Sequence, residues 1–378
     1  MHEIQRHVLL NPGPATTTDT VKWAQVVPDI CPREAEFSGV MRQIGADLLR
    51  IAHAPAEEYA AVLFCGSGSL GMDVCLNSLL PEKKRALIIC NGVFSERAVE
   101  ICRAYGLPHL VLELPETEAP TAAALEQMLR AHPDIGLVYT THQETASGLL
   151  NPIRLVGELA HRYGALSVVD TTSTFAMLPL HVLRDHIDFC MSSSQKGLMS
   201  TSGLTFIIGR RAAIEASQSY PQRSYYANLY RQYSYFEATG QMHFTPPVQT
   251  MYATAQALRE YFAEGEAAKW ARHTRVFEAI MSGVESLGLR CLLSREQMAG
   301  LVAAVLYPQD PRWDFQRVHD YCYARGFTIY AGKTAQPTFR LAAMGAIDTA
   351  DISAFWRVFR EALAELGMLI PGAAADAR

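Results

Sequence analysis

The sequence predicts an α/β protein, in which a large domain holds a doubly wound, mostly parallel sheet of seven strands and a smaller α+β domain follows. Two observations lead to this prediction. Between about residues 60 and 210, short apolar runs alternate with helical patterns of about 10–15 residues, as expected for parallel strands covered by helices on both faces. After Thr245-Pro246-Pro247 this alternation ends, and a long helical stretch precedes shorter strands.

The strands of the large domain are predicted from short, continuous runs of apolar residues. They lie at 61–65, 86–90, 109–114, 136–141, 165–169, 189–191 and 204–208. The helices between them are predicted from apolar residues at every third or fourth position. The first follows a Gly/Ser turn and reaches residue 80, and the others lie at 96–105, 121–131 and 155–163.

The second part of the chain is predicted to begin with a helical stretch over 248–287 that breaks near Gly265. Strands are predicted next, at 301–306, 328–330 and 339–341, and a final amphipathic helix at 351–366. We therefore place the large domain at 15–255 and the small domain at 256–378, together with residues 1–14.

The charge, the cysteine pattern and the hydropathy of the chain exclude several classes of function. The 33 Lys and Arg against 38 Asp and Glu give a net charge of −5, which argues against nucleic acid or a membrane surface as a partner. The eight Cys form neither a C-x-x-C pair nor a zinc-type cluster, so we expect reduced thiols and no metal. No secretory leader and no apolar run of about 18 residues is apparent, which predicts a soluble cytoplasmic protein.

A glycine-rich turn follows the first predicted strand of the sheet. Gly66-Ser67-Gly68-Ser69-Leu70-Gly71 fits the G-x-G-x-x-G pattern of dinucleotide sites. Such a site also needs an acidic residue at the end of the next strand, but that strand is followed by Asn91-Gly92. Free N–H groups and hydroxyls at a helix N-terminus favour a phosphate site. A purely structural turn and a dinucleotide site remain as alternatives.

Lys196 is a candidate nucleophile. The chain has only six Lys, and this one alone lies between residues 85 and 268. It follows a predicted strand and the polar run Ser192-Ser193-Ser194-Gln195, at the edge where α/β sheets bind their ligands. Desolvation there would lower the pKa of the amine and let it attack carbonyl groups. The alternative is an ordinary solvated surface lysine.

Asp170 is a candidate partner for a bound cation. It closes the apolar strand that ends in Val168-Val169, where an unpaired carboxylate is costly to bury. A protonated pyridine nitrogen would pair with it, as in pyridoxal phosphate chemistry; the alternative is a helix N-cap. The phosphate-type turn at 66–69, Asp170 and Lys196 all fall at carboxyl ends of strands in one predicted sheet. Together they indicate a pyridoxal phosphate site.

With these residues placed, the chain resembles the class-V, fold-type I pyridoxal phosphate aminotransferases through nearly its whole length. Within that class it is similar to the transaminases that move an amino group from 2-aminoethylphosphonate to pyruvate. The matching blocks are 11–17, 66–69, 91–92, 142–145, 147–152, 169–170, Lys196, 244–247 and 338–341.

The resemblance implies a role for each matching residue. Lys196 would carry the cofactor and act as the catalytic base, and Asp170 would pair with the pyridinium nitrogen. Phe94 stands where relatives place the Tyr or Trp that stacks on the cofactor ring. The cofactor-binding residues implied are Ser67, Gly68, Ser69, Phe94, Thr145, Asp170, Gln195, Lys196 and Thr245.

The resemblance also implies a homodimer with shared active sites, in which Thr245 reaches the cofactor phosphate of the neighbouring subunit. Arg340 would grip the acidic end of the substrate. The implied reaction converts 2-aminoethylphosphonate and pyruvate to phosphonoacetaldehyde and L-alanine. Gln195 differs from the Asn usual before the lysine in phosphonate-specific relatives. Another class-V transaminase of alanine/serine–glyoxylate or phosphonoalanine type, a lyase on the same fold, and a nicotinamide-dependent dehydrogenase remain alternatives.

Overall fold

The computed structural model describes residues 4–368. Its strands are β1 (Val8–Leu9), β2 (Tyr59–Cys65), β3 (Arg85–Cys90), β4 (His109–Glu113), β5 (Ile135–Thr141), β6 (Gln143–Glu144), β7 (Leu149–Leu150), β8 (Leu166–Asp170), β9 (Phe189–Ser193), β10 (Leu204–Arg210), β11 (Val302–Leu306), β12 (Phe327–Thr328), β13 (Tyr330–Ala331) and β14 (Thr338–Ala342). Its α-helices are α1 (Asp19–Trp23), α2 (Ala35–Ile51), α3 (Gly68–Leu79), α4 (Val93–Ala104), α5 (Ala122–Ala131), α6 (Ile153–Arg162), α7 (Arg211–Ala216), α8 (Leu229–Thr239), α9 (Val248–Glu264), α10 (Glu266–Ser286), α11 (Phe315–Tyr323) and α12 (Thr349–Glu365).

The large sheet has seven strands in the order β2-β10-β9-β8-β5-β3-β4, which confirms the predicted doubly wound architecture. Strand β10 alone runs antiparallel to its neighbours β9 and β2. Residues 194–203, which join β9 to β10, contain no helix, and a parallel neighbour needs a longer crossover. The other six strands therefore point one way, and their carboxyl ends share one edge of the sheet.

Both faces of this sheet are covered by helices, which explains the continuous apolar runs. Along β10, Phe206 and Ile208 pack into one hydrophobic cluster and Ile207 packs into another on the opposite face. Successive side chains of a strand alternate between faces, so both faces of a buried strand must be apolar. Helices α2 and α9 cover the first face, and α3 and α4 lie over the second.

The C-terminal part forms a separate hydrophobic cluster around an antiparallel sheet of order β11-β14-β13. Aromatic side chains such as Phe339, Phe355 and Phe359 fill it. The prediction of one continuous strand at 328–330 is wrong, because the chain passes from one sheet to another at the buried Ile329. Strand β12 before it pairs with β1, and β13 after it pairs with β14.

The helical stretch after residue 248 breaks at Gly265 as predicted, and the two halves face different cores. Met251 and Leu258 of α9 belong to the large-domain cluster, whereas Val276 and Ile280 of α10 belong to the C-terminal cluster. The division at 255/256 remains a prediction, and residues 1–3 and 369–378 of the predicted small domain lie outside the described residues. Among residues 4–368, none of the helices is both long and apolar enough to cross a bilayer.

Candidate active site

The carboxyl ends of β2, β8 and β9 meet at one edge of the sheet, where they surround a cavity of about 150 Å³. Most of the predicted site residues lie there, although they come from distant parts of the sequence. The cavity lining includes Ser67, Gly68, Ser69, Phe94, Thr145, Asp170, Gln195 and Lys196. The structure thus brings together eight of the ten predicted residues; Thr245 and Arg340 are placed elsewhere.

Lys196 is buried, with 9% of its surface exposed, rather than solvated on the surface. Burial lowers the pKa of its amine from 10.5 to about 8. The negative charge of Asp170 opposes this shift, and the positive charge of Arg340 adds to it. The neutral, nucleophilic form of this amine is therefore far more populated near neutral pH than in an ordinary lysine.

The loop that carries Lys196 is held by the N-terminal segment. The carbonyl of Gln195 accepts a hydrogen bond from the amide of Ala15 at 2.8 Å. Gly13, with φ of +122°, lies so close that a Cβ atom there would be 2.8 Å from Cγ of Lys196. Only glycine fits this conformation and this contact, so the segment around residues 13–15 fixes the lysine side chain from one side.

Asp170 is the last residue of β8 and has only 5% of its surface exposed. Its Oδ1 accepts a hydrogen bond from the amide of Thr172 at 2.8 Å, and Tyr139 donates to Oδ2 at 3.4 Å. Turns rather than a helix follow it, so the structure does not support a helix N-cap. The result is a buried carboxylate held in place at the cavity wall.

The glycine-rich turn forms a polar cradle at the start of α3. Ser67 is the N-cap position, and Gly68 is the first helical residue. A Cβ atom on Gly68 would lie 3.0 Å from Thr172 and 3.3 Å from Oγ of Ser193. The hydroxyls of both neighbours are buried without a hydrogen-bond partner in the described structure. Such donors at a helix N-terminus suit an anion such as a phosphate group.

The end of β3 does not suit a dinucleotide. Its last residue is Cys90, and the next, Asn91, uses its side-chain amide within the protein. Nδ2 donates to the carbonyl of Glu118 at 3.0 Å and to Oδ1 of Asn151 at 2.8 Å. This position therefore offers no carboxylate for a ribose hydroxyl, and the phosphate interpretation of the glycine turn is the better one.

Glu144 was part of a matching block, but sequence reasoning gave it no role. Its carboxylate accepts hydrogen bonds from the amides of Phe94 at 3.3 Å and Ser95 at 3.2 Å, and so caps the N-terminus of α4. Burial raises the pKa of Glu144 to about 7, against the effect of these amide donors. The contact fixes the start of the helix that carries Phe94.

Arg97 is a second residue that the sequence reasoning missed. It lines the cavity, and its Nη1 donates to Oγ of Ser69 at 2.9 Å. Its guanidinium carbon lies 5.1 Å from the centre of the Phe94 ring. A spacing of three residues puts Phe94 and Arg97 on one helix face, so this signal was present in the sequence.

Arg340 lies on β14 and is 4% exposed, so it is not a surface arginine. Its Nη2 donates to the carbonyl of Ala331 at 3.3 Å, while its buried Nε has no partner among the described residues. Its charge acts on Lys196 although it does not line the cavity.

Thr245 is exposed, in the segment between α8 and α9. Residues 4–368 contain no cluster of three or more His, Cys, Asp or Glu suited to a metal ion.

Known proteins match this chain over almost its full length. The family model described as aminotransferase class-V matches residues 23–358. Proteins from Salmonella heidelberg and Salmonella typhimurium, both named 2-aminoethylphosphonate–pyruvate transaminase, are 36% identical over 95% of this chain and 98% of their own. Among solved structures, an alanine–glyoxylate aminotransferase from Nostoc sp. matches with a TM-score of 0.88 at 24% identity, covering 96% of each chain. An aspartate aminotransferase from Thermus thermophilus matches with a TM-score of 0.84 at 25% identity, covering 95% of this chain and 99% of its own.

Proposed function

Because the chain belongs to the class-V aminotransferase family, we propose that it transfers the amino group of 2-aminoethylphosphonate to pyruvate, giving phosphonoacetaldehyde and L-alanine. The enzyme is an aminotransferase, and its substrates are therefore an amino donor and a 2-oxo acid. The observation that carries the proposal is the buried Lys196, placed beside Asp170 and under the charge of Arg340. The similarity to transaminases named for these two substrates supports the choice of donor and acceptor.

We propose pyridoxal 5′-phosphate as the cofactor, since the polar groups that line the cavity suit it. The hydroxyls of Thr172 and Ser193 and the side-chain carbonyl of Gln195 are buried without a hydrogen-bond partner among residues 4–368, as expected where a polar group is to be bound. When bound, the cofactor supplies an electron sink for the carbon that loses a proton. Ser67, Gly68 and Ser69 would hold its phosphate, with Gln195 beside them.

Lys196 and Asp170 are the catalytic residues in this proposal. Lys196 would hold the cofactor through its side-chain amine. Its Nζ would act as the general base that takes a proton from the amine-bearing carbon of the donor, and then as the general acid that gives a proton back. The lowered pKa makes the neutral amine available near neutral pH. Asp170 would keep the cofactor's ring nitrogen protonated, and Phe94 and Thr145 would line the ring.

Arg340 would bind the acidic end of each substrate. Its guanidinium suits a phosphonate as well as a carboxylate, because both accept two parallel hydrogen bonds. Its buried Nε, which has no hydrogen-bond partner within residues 4–368, supports this role. One arginine would then serve both halves of the reaction, first the phosphonate of the donor and then the carboxylate of pyruvate.

We further propose a homodimer with shared sites and a cytoplasmic location. Thr245 is exposed and does not line the cavity of its own chain, so its side chain is free to contact the active site of a neighbouring subunit. Four cysteines, Cys75, Cys102, Cys190 and Cys322, are buried as free thiols in the hydrophobic clusters. Reduced thiols packed in this way are typical of proteins from reducing compartments.

A donor screen tests the proposal. Purified protein loaded with pyridoxal phosphate is mixed with one amine at a time, without an acceptor, and the yellow absorbance of the bound cofactor is followed. We expect 2-aminoethylphosphonate to bleach it and pyruvate to restore it, with weaker effects of alanine and serine. Bleaching by alanine or serine but not by 2-aminoethylphosphonate would favour an alanine/serine–glyoxylate type of transaminase instead.

A further inference from the structure

A second lysine lies directly behind the loop of the first. Lys269, in the first turn of α10, has none of its surface exposed. Its Nζ donates a hydrogen bond at 2.8 Å to the carbonyl of Gly197, the residue after Lys196. Nζ also lies 5.0 Å from the centre of the Tyr261 ring. Burial lowers the pKa of Lys269 to about 7, and either protonation state of the amine can donate this hydrogen bond.

The hydrogen bond completes a set of three on successive carbonyls of the lysine loop. The Gln195 carbonyl accepts from Ala15, and the Lys196 carbonyl accepts from Met199 at 2.8 Å. The Gly197 carbonyl accepts from Lys269. The first donor belongs to the N-terminal segment, the second to the loop itself and the third to α10. Three donors from three directions fix the backbone on both sides of Lys196.

The helix that carries Lys269 also contacts the segment that directly follows the strand of Arg340. One turn after Lys269, Nδ1 of His273 donates to the carbonyl of Ala343 at 2.8 Å. Arg272 donates to the carbonyl of Gly345 at 2.9 Å. Ala343 directly follows the last residue of β14. Helix α10 therefore contacts the lysine loop at one point and the end of the arginine strand at another.

We propose that Lys269 is a positioning residue, which fixes the Lys196 loop relative to the strand of Arg340 through helix α10. A substrate held at its acidic end by Arg340 must present its amine-bearing carbon to Lys196, so the offset between the two side chains decides how well it reacts. The catalytic part of this inference rests on the proposed function. The structural part, the support of the loop by Lys269, does not depend on it.

Lys269→Met tests the inference, since methionine has a similar length and no donor. Lys83→Met is the matched control, because Lys83 is exposed in a surface turn. The first readout is hydrogen–deuterium exchange of the full-length protein. Loss of one hydrogen bond to a buried carbonyl should speed exchange of the Met199 and Ser200 amides about tenfold. Helix α12 should be unchanged, and Lys83→Met should match the wild type.

The second readout is turnover with 2-aminoethylphosphonate and pyruvate. Lys269→Met should lower kcat at least tenfold and change KM much less, because alignment rather than binding is lost. If Lys269→Met does not fold, Lys269→Leu, which also lacks a donor, is scored in the same way. The inference would be overturned if the amides of residues 199–200 in Lys269→Met exchanged at the wild-type rate. It would also be overturned if exchange were faster to the same degree along the whole chain. Faster exchange confined to the loop of Lys269→Met, together with a wild-type protein that transfers no amino group, would support the loop contact and contradict the proposed function.

Discussion

Nζ of Lys196 lies 5.5 Å from the centre of the Phe94 ring, across the cavity at the edge of the sheet. The ring is held there because Glu144 accepts hydrogen bonds from the first amides of its helix. An aromatic face thus lies beside the amine of Lys196. A planar cofactor ring could stack on this face.

Replacing Phe94 should weaken cofactor binding. In Phe94→Leu the apolar volume is nearly kept but the stacking surface is lost, so we expect the Kd of pyridoxal phosphate to rise about tenfold. Phe94→Tyr, which keeps the ring, should bind within about twofold of the wild type. Absorbance titration of cofactor-stripped protein measures both. Equal Kd values for the Leu and Tyr variants would show that the ring does not contact the cofactor.

The pKa of Lys196 predicts a pH dependence for cofactor uptake. Only the neutral amine attacks a carbonyl, so the uptake rate of stripped protein should rise with pH and level off above about 8. Asp170→Asn removes a charge that favours the ammonium form and should move the midpoint down. Arg340→Gln removes a repelling cation and should move it up. A wild-type uptake midpoint near pH 10.5 would contradict the described arrangement of charges. So would midpoints of the two variants that shift in the same direction.

Glu144 predicts a pH dependence of stability. Its pKa is raised from 4.5 to about 7 in the folded protein, chiefly by burial, so the folded state takes up this proton more readily than the unfolded state. The resulting stability is complete below pH 4.5 and is lost as the pH rises towards 7. Each unit of difference between the folded and unfolded pKa contributes about 1.4 kcal/mol. The free energy of unfolding of the wild type should therefore fall by roughly 3 kcal/mol over this pH range. Glu144→Gln cannot titrate and should lack this contribution.

Urea unfolding of cofactor-free protein at pH 5, 6 and 7 measures this difference. The informative quantity is the slope of the unfolding free energy against pH in the wild type minus that in Glu144→Gln. This subtraction removes the contributions of other titrating groups. Parallel slopes would mean that Glu144 is already charged at pH 5.

Arg340 predicts selectivity for donors with an acidic end. Arg340→Gln should lower kcat/KM for 2-aminoethylphosphonate about 100-fold, because the phosphonate loses a charged, bidentate partner. Ethylamine, the same donor without its phosphonate, should react equally slowly with both enzymes. Arg154→Gln, in a surface ion pair with Glu158, is a matched control. An unchanged preference for 2-aminoethylphosphonate in Arg340→Gln would assign phosphonate binding to another residue, and Arg97 would be the next to test.

The sequence predicted the residues whose chemistry is visible at strand ends. Lys196 and Asp170 follow or close buried strands, and parallel strands necessarily bring such ends together. It could not predict contacts that depend on how distant elements pack. Lys269 contacts a carbonyl 72 residues away, and Glu144 caps a helix that begins about 50 residues earlier. The antiparallel β10 was also missed, although its short connection to β9 carried the signal.

Transfer of a labelled amino group tests the central claim most directly. Purified protein with pyridoxal phosphate is incubated with ¹⁵N-labelled 2-aminoethylphosphonate and unlabelled pyruvate, and Lys196→Ala serves as the blank. We expect ¹⁵N-alanine and phosphonoacetaldehyde to appear in equal amounts with the wild type and neither to appear with Lys196→Ala. Unlabelled alanine, the aldehyde without alanine, or equal activity of Lys196→Ala would contradict it.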